Sequence, residues 1–169
     1  MGNLFLGFIL TFVGALSFAN EVPDDDFDSS IDALKNSISD VYSSTEVLKI
    51  QEAPKNRRVV FLRASGFHQG NNSYTYLAVF EKSQKAVNTQ GETYEYFGNI
   101  HFRLIGYIQV GGHHVGNIDT ANVTITNDII NVPVNYHVSG LLMLNGEAIK
   151  TSAPMLKVKI NSFGLSYSL

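Results

Sequence analysis

A chain of 169 residues with 12 Lys and Arg against 15 Asp and Glu has a formal net charge of −3, and no basic excess draws it onto nucleic acid or anionic lipid. The absence of cysteine excludes disulfide-stapled scaffolds, Cys-ligated zinc, covalent haem attachment and thiol catalysis, so the fold must rest on its own apolar core. Charged residues are only 16% of the total, and Asn, Ser, Thr and Gly supply much of the polarity, a balance suited to extracellular β-proteins.

Residues 4–18, LFLGFILTFVGALSF, are an unbroken run of apolar and small residues. At about fifteen residues the run is short of the ~20 needed to span a bilayer. Ser17 and Ala19 are small residues at the −3 and −1 positions of a cut after Ala19. The run therefore reads as a secretory signal peptide over residues 1–19, followed by one secreted, extracellular domain over residues 20–169. The mature chain then carries no integral membrane segment. Its n-region offers only the α-amino group as positive charge.

The acidic residues Asp24, Asp25, Asp26 and Asp28 lead into the one clear helix. Phe27, Ile31, Leu34, Ile38 and Val41 recur at helical spacing over about residues 28–43, with Ser29 and Asp32 as a capping pair. Aspartates at a helix entry complement its dipole, whereas a calcium loop would need spaced oxygen ligands and a turn glycine.

From about residue 46 to 169 the period changes to two. Residues 47–51, 58–64, 74–80 and 93–97 read as strands, the middle two joined by a Gly/Asn-rich hairpin connection. In residues 101–110, Phe102, Leu104, Gly106, Ile108 and Val110 share one face by simple alternation. Ala121, Val123 and Ile125 oppose Asn122, Thr124 and Thr126. Pro133 marks an edge or bulge in the strand that follows. Asn145-Gly146 is a turn, and a change of phase across Ser162 suggests a bulge. The fold class is mainly β (α+β): one N-terminal helix followed by a curved, seven- to nine-stranded antiparallel sheet or barrel-like roll with one buried face.

Chemistry is sparse. His113 and His114 sit between glycines, but no His-x-His strand or His-x-x-x-His helix accompanies them, and His68, His101 and His137 are scattered. No Gly-x-Ser-x-Gly elbow is present, and Glu92 and Glu95 fall on opposite strand faces. The chain therefore reads as a non-enzyme with no catalytic residues, metal site or cofactor. Lys55-Asn56-Arg57-Arg58 is either a dibasic processing site or a loop opening a strand, and Pro54 favours the loop. Asn71-Asn72-Ser73 and Asn122-Val123-Thr124 are glycosylation sequons, giving Asn71 and Asn122 as acceptors.

Aromatic residues occur on nearly every strand, and tyrosine joins an apolar body to a polar tip. Phe61, Tyr76, Phe80, Phe102 and Tyr136 are the candidate lining of a ligand cavity. The order of helix and long alternating strands, with residues 107–112 (YIQVGG) and 156–160 (LKVKI), resembles the arthropod secreted lipid-binding superfamily of takeout-like proteins, juvenile-hormone-binding proteins and mite group 7 allergens. That resemblance implies a helix wrapped by a curved sheet around an apolar ligand. The chain departs from the family in having neither a long C-terminal helix nor cysteines.

Two functions are compatible with these features. One is a secreted, non-catalytic carrier of a small apolar ligand. The other is an extracellular interaction or structural protein whose sheet surface binds another macromolecule. No nucleic acid partner is implied, and the oligomeric state is open. Intact-mass measurement of the exported product should give a chain beginning at Asn20 and continuous through Arg58. A product lacking residues 20–58 would establish the dibasic site instead.

Overall fold

The computed structural model describes residues 27–39, 42, 44–66, 72–83, 85–87, 93–95, 101–111, 116–136, 140–162 and 164–169. The expectations for the apolar run, for Asn71 and for the side chains of all five histidines lie outside the described residues. The elements in chain order are α1 (Phe27–Ser39), β1 (Ser44–Ala53), β2 (Arg57–Gly66), β3 (Asn72–Ser83), β4 (Lys85–Val87), β5 (Thr93–Glu95) and β6 (His101–Val110). They continue with β7 (Asn117–Ile118), β8 (Thr124–Thr126), β9 (Ile129–Asn135), β10 (Leu141–Leu144), β11 (Glu147–Lys150), β12 (Met155–Asn161) and β13 (Gly164–Ser168). Among the described residues the fold is mainly β with one helix, as the alternation indicated, and every strand pairing is antiparallel. Among the described residues no helix is long and apolar enough to cross a membrane.

The strands divide into a curled six-stranded sheet, β1-β2-β3-β6-β10-β11, a second sheet, β13-β12-β9-β7 with β8 also on β9, and a β4–β5 ribbon. The six-stranded sheet is the middle of three layers. On one face α1 buries Phe27, Ile31, Leu34 and Ile38 against Val60, Leu62, Ala64, Tyr76, Ala78 and Phe80. On the other, Val59, Phe61, Leu77, Val79, Ile108 and Val110 pack against Ile130, Val132, Leu156 and Val158 of the second sheet. The middle sheet thus has two buried faces rather than one. This explains the run Val59-Val60-Phe61-Leu62: alternate side chains enter different cores, and both must be apolar.

Helix α1 starts at Phe27, so Ser29 lies inside its first turn and not at a cap. Tyr42 is already outside the helix, short of the expected end near residue 43. Asp32 instead pairs with Lys35 on the outer side, Nζ to Oδ1 2.9 Å.

Two bulges reset which face each strand presents. In β6 the register passes from Val79↔Gly106 to Phe80↔Leu104, leaving Ile105 as the extra residue. Phe102 and Leu104 consequently join the helix side, while Gly106, Ile108 and Val110 remain on the sandwich side. Simple alternation had grouped all five. In β1 the bulge lies between Val47 and Lys49.

Pro133 occupies neither a sheet edge nor a bulge. Strand β8 pairs with β9 through Asn131 and β7 takes over at Val134, so Pro133 sits where one neighbour ends and the next begins, and its missing N–H breaks no ladder there. Ser162 belongs to the β12–β13 turn, since Asn161 pairs with Gly164. Asn145 and Gly146 have φ of 49° and 84° and join β10 to β11 as a two-residue hairpin.

Charged side chains tie the layers at one end. Buried Arg57 donates from Nε to Glu81 Oε1 (3.2 Å) and from Nη1 to Asp128 Oδ1 (2.6 Å). Lys55 Nζ donates to Asp128 Oδ2 (2.6 Å), and Arg103 Nη2 to Glu81 Oε2 (3.1 Å). The Lys55 hydrogen bond is the main cause holding the Asp128 carboxyl below the usual carboxylate range, and Arg57 adds to it. Arg57 and Arg58 both lie within β2, so a processing protease would have to unpair the strand to reach them.

At the side of the sandwich, Gly116 bridges to Leu142 in parallel and donates its N–H to Leu141 O (2.7 Å). A Cβ on Gly116 would lie 3.0 Å from Tyr136 Cδ1, 3.2 Å from Leu141 O and 3.3 Å from Asn135 O. Gly116→Ala should therefore lower unfolding stability by about 1–3 kcal/mol in urea titration. Unchanged stability would show that the junction between the sheets yields freely.

Candidate ligand-binding face

Beyond the end of α1, four tyrosines and a glutamine gather on the helix side of the middle sheet. Strand alternation delivers them in pairs: Tyr74 and Tyr76 from β3, Tyr107 and Gln109 from β6, with Tyr76 opposite Gln109 across the ladder. Tyr42, which follows the helix, packs its ring against the two β3 tyrosines. Its centroid is 5.6 Å from Tyr74 and 6.3 Å from Tyr76, and Tyr76 is 5.8 Å from Tyr107.

Polar tips are joined within this cluster. Gln109 Nε2 donates to Tyr42 Oη at 3.0 Å. Burial pushes the Tyr76 hydroxyl well above the ordinary tyrosine range, and its hydrogen bond to Tyr42 adds to the shift. Both influences favour the neutral phenol. Tyr76 is buried, Tyr42 and Tyr74 are half-buried, and Tyr107 is 41% exposed, so the cluster grades from core to surface.

A second aromatic group lies at the start of the helix. The Phe27 ring meets Phe80 edge-on at 5.6 Å and Phe102 at 4.6 Å. The Arg58 guanidinium lies 4.4 Å from the Phe27 centroid and 4.7 Å from that of Phe102, while its Nε donates to Glu52 Oε1 at 2.7 Å. Ser30 Oγ donates to Phe102 O at 3.0 Å, fixing the helix to β6.

Of the five residues expected to line a cavity, Tyr76, Phe80 and Phe102 share this helix layer. Phe61 is fully enclosed in the sandwich core, and Tyr136 lies at that core's margin with Oη donating to Ala153 O at 2.7 Å. The five therefore do not form one site. Asn122, the describable sequon residue, is exposed in the turn before β8, and its Nδ2 donates to Asp119 Oδ2 at 2.7 Å. Among the described residues, no three His, Cys, Asp or Glu side chains are grouped to hold a metal ion.

No known family, curated protein or solved structure matches the chain.

The sequence singled out Tyr76 but not the grouping of Tyr42, Tyr74, Tyr107 and Gln109 around it. Two i,i+2 pairs, Tyr74/Tyr76 and Tyr107/Gln109, were available as a signal. The β6 bulge and the β3–β6 register were needed to show that they share a face.

Because the folded chain raises the Tyr76 pKa, its contribution is complete below about pH 10 and declines as the unfolded chain ionises above that value. Urea unfolding between pH 8 and 11 should show a shallower alkaline loss for Tyr76→Phe than for the parent chain. The variant should also lose about 1 kcal/mol at neutral pH with its hydrogen bond. Burial pushes Tyr167 up as well, so some alkaline slope remains. Identical slopes would exclude Tyr76 as its source.

Proposed function

We propose that this chain is a secreted, non-catalytic binding protein that takes a small apolar ligand against the tyrosine cluster at the end of α1. The observation carrying the reading is the graded burial from Tyr76 to Tyr107 together with the linked hydroxyls of Tyr42 and Tyr76. Aromatic bodies supply apolar contact area at small entropic cost, and the Tyr42 hydroxyl and the Gln109 amide supply the few polar groups that orient a ligand. A ligand suited to this face is an apolar skeleton with one carbonyl, hydroxyl or carboxyl acceptor. Glycosylation at Asn122 belongs to the same extracellular reading, and it requires the side-chain amide to release Asp119.

Native mass spectrometry of the protein purified from its source should retain a small lipid-like molecule. Titration of the purified chain with cis-parinaric acid, a fluorescent polyene fatty acid, should saturate. Tyr107→Ala should then weaken binding about tenfold, equivalent to ~1.4 kcal/mol. Ile129→Ala, exposed on the second sheet, serves as the control and should leave binding unchanged. A folded chain that shows no saturable uptake, or for which Tyr107→Ala changes nothing, would overturn the assignment.

A further inference from the structure

The outer strand β1 carries an apolar pair that the helix does not cover. Val47 is 40% exposed and Ile50 45% exposed, and among the described residues β1 is paired on one side only. The β1 bulge places the two on the same face. Thr45 and Val47 stand opposite Ala64 and Leu62, and Ile50 and Glu52 opposite Val60 and Arg58, all on the helix side. Ser44, Glu46, Lys49, Gln51 and Ala53 take the sandwich side, and Leu48 packs into the core there.

We propose that β1 is a homodimerisation edge. Two copies pair antiparallel across a two-fold axis passing between Leu48 and Lys49, joining two six-stranded sheets into one continuous sheet. The register follows from symmetry. In an unbulged strand, a two-fold axis normal to the sheet sets a residue opposite its own copy, since opposed side chains must share a face. One extra residue shifts this parity by one. Centring the axis on the bulge sets Val47 opposite the second copy's Ile50, Thr45 opposite its Glu52, Glu46 opposite its Gln51 and Ser44 opposite its Ala53. Faces then match along the strand, Leu48 stands opposite the second copy's Lys49, the two Lys49 amines beside the axis are each drawn to their own Thr120 O, and the exposed Val47 and Ile50 of both copies cover one another.

Edge strands ordinarily resist such pairing through charges and bulges. Here the charges are engaged within the chain. Glu46 accepts from Arg63 Nη1 (3.0 Å), Glu52 from Arg58 Nε (2.7 Å), and Lys49 Nζ donates to Thr120 O (3.0 Å). The bulge, rather than ending the strand, sets the matching register. The occupant best fitted to this edge is therefore a second copy of the same strand.

Sedimentation velocity on the full mature chain from roughly 1 to 200 µM should show a reversible monomer–dimer equilibrium, as suits an interface at the small end of the stable range. Val47→Lys and Ile50→Lys should each weaken association at least about tenfold, while Ile129→Lys leaves it unchanged. The absence of cysteine permits a register test without background. An equimolar mixture of Val47→Cys and Ile50→Cys chains should form a disulfide heterodimer on mild oxidation, because opposed strand residues lie within disulfide reach. Either variant alone should cross-link far less. A chain that stays monomeric throughout, a dimer that survives Val47→Lys in a folded protein, or single variants that cross-link as readily as the mixture would each overturn the proposal.

Discussion

Everything in this fold depends on one constraint: strands β2 and β3 run through the middle of three layers and are buried on both faces. Val60, Leu62, Ala78 and Phe80 meet the helix, while Val59, Phe61, Leu77 and Val79 meet the second sheet. A strand that is half wet can tolerate polar residues at every second position, but a strand between two cores cannot. This burial compensates for the missing disulfides, because the middle sheet contributes apolar surface to two cores at once. It also fixes register strongly, since a slip by one residue would exchange the side chains destined for each core.

Polar groups concentrate where this double burial ends. At one end of the sheet, Arg57 bridges Glu81 and Asp128 and holds the middle sheet to the β8–β9 turn. A guanidinium so enclosed is tolerable only because carboxylates meet it on two sides, one of which also holds Lys55. On the helix side, the sheet is wider than α1. Beyond the helix, aromatic residues with hydroxyl tips replace aliphatic ones, giving a surface that is neither closed core nor ordinary solvent face. The β1 edge is the corresponding change at the sheet's margin, with aliphatic residues left half exposed.

Much of this was legible in the residues. The spacing of Phe27, Ile31, Leu34 and Ile38 specified the helix, and Asn145-Gly146 specified its hairpin, because left-handed backbone is cheapest for these residue types. The limits of β6 were equally readable. The faces of β6 were not: Ile105 is the extra residue of a bulge, and nothing in its side chain distinguishes a bulged isoleucine from a paired one. Pro133 misled for a related reason, since its tolerance depends on which neighbouring strand has ended beside it. Phe61 and Phe80 looked equivalent as aromatic strand residues, yet the pleat sends them into different cores.

The sequence by itself determined the kinds of element, the approximate order of strands and the cysteine-free reliance on packing. These are local or compositional properties, set by periodicity, turn chemistry and residue type. Tertiary structure alone decided that the strands divide into two packed sheets and a separate β4–β5 ribbon with the helix on one outer face, and that Tyr42 meets Tyr76 and Gln109. It also decided that Arg57 is an interior tie rather than part of a loop. Each of these outcomes depends on register and on bulges, where one residue's displacement reverses the face of every side chain that follows. Such a displacement is settled by packing over the whole sheet and leaves no local mark on the chain.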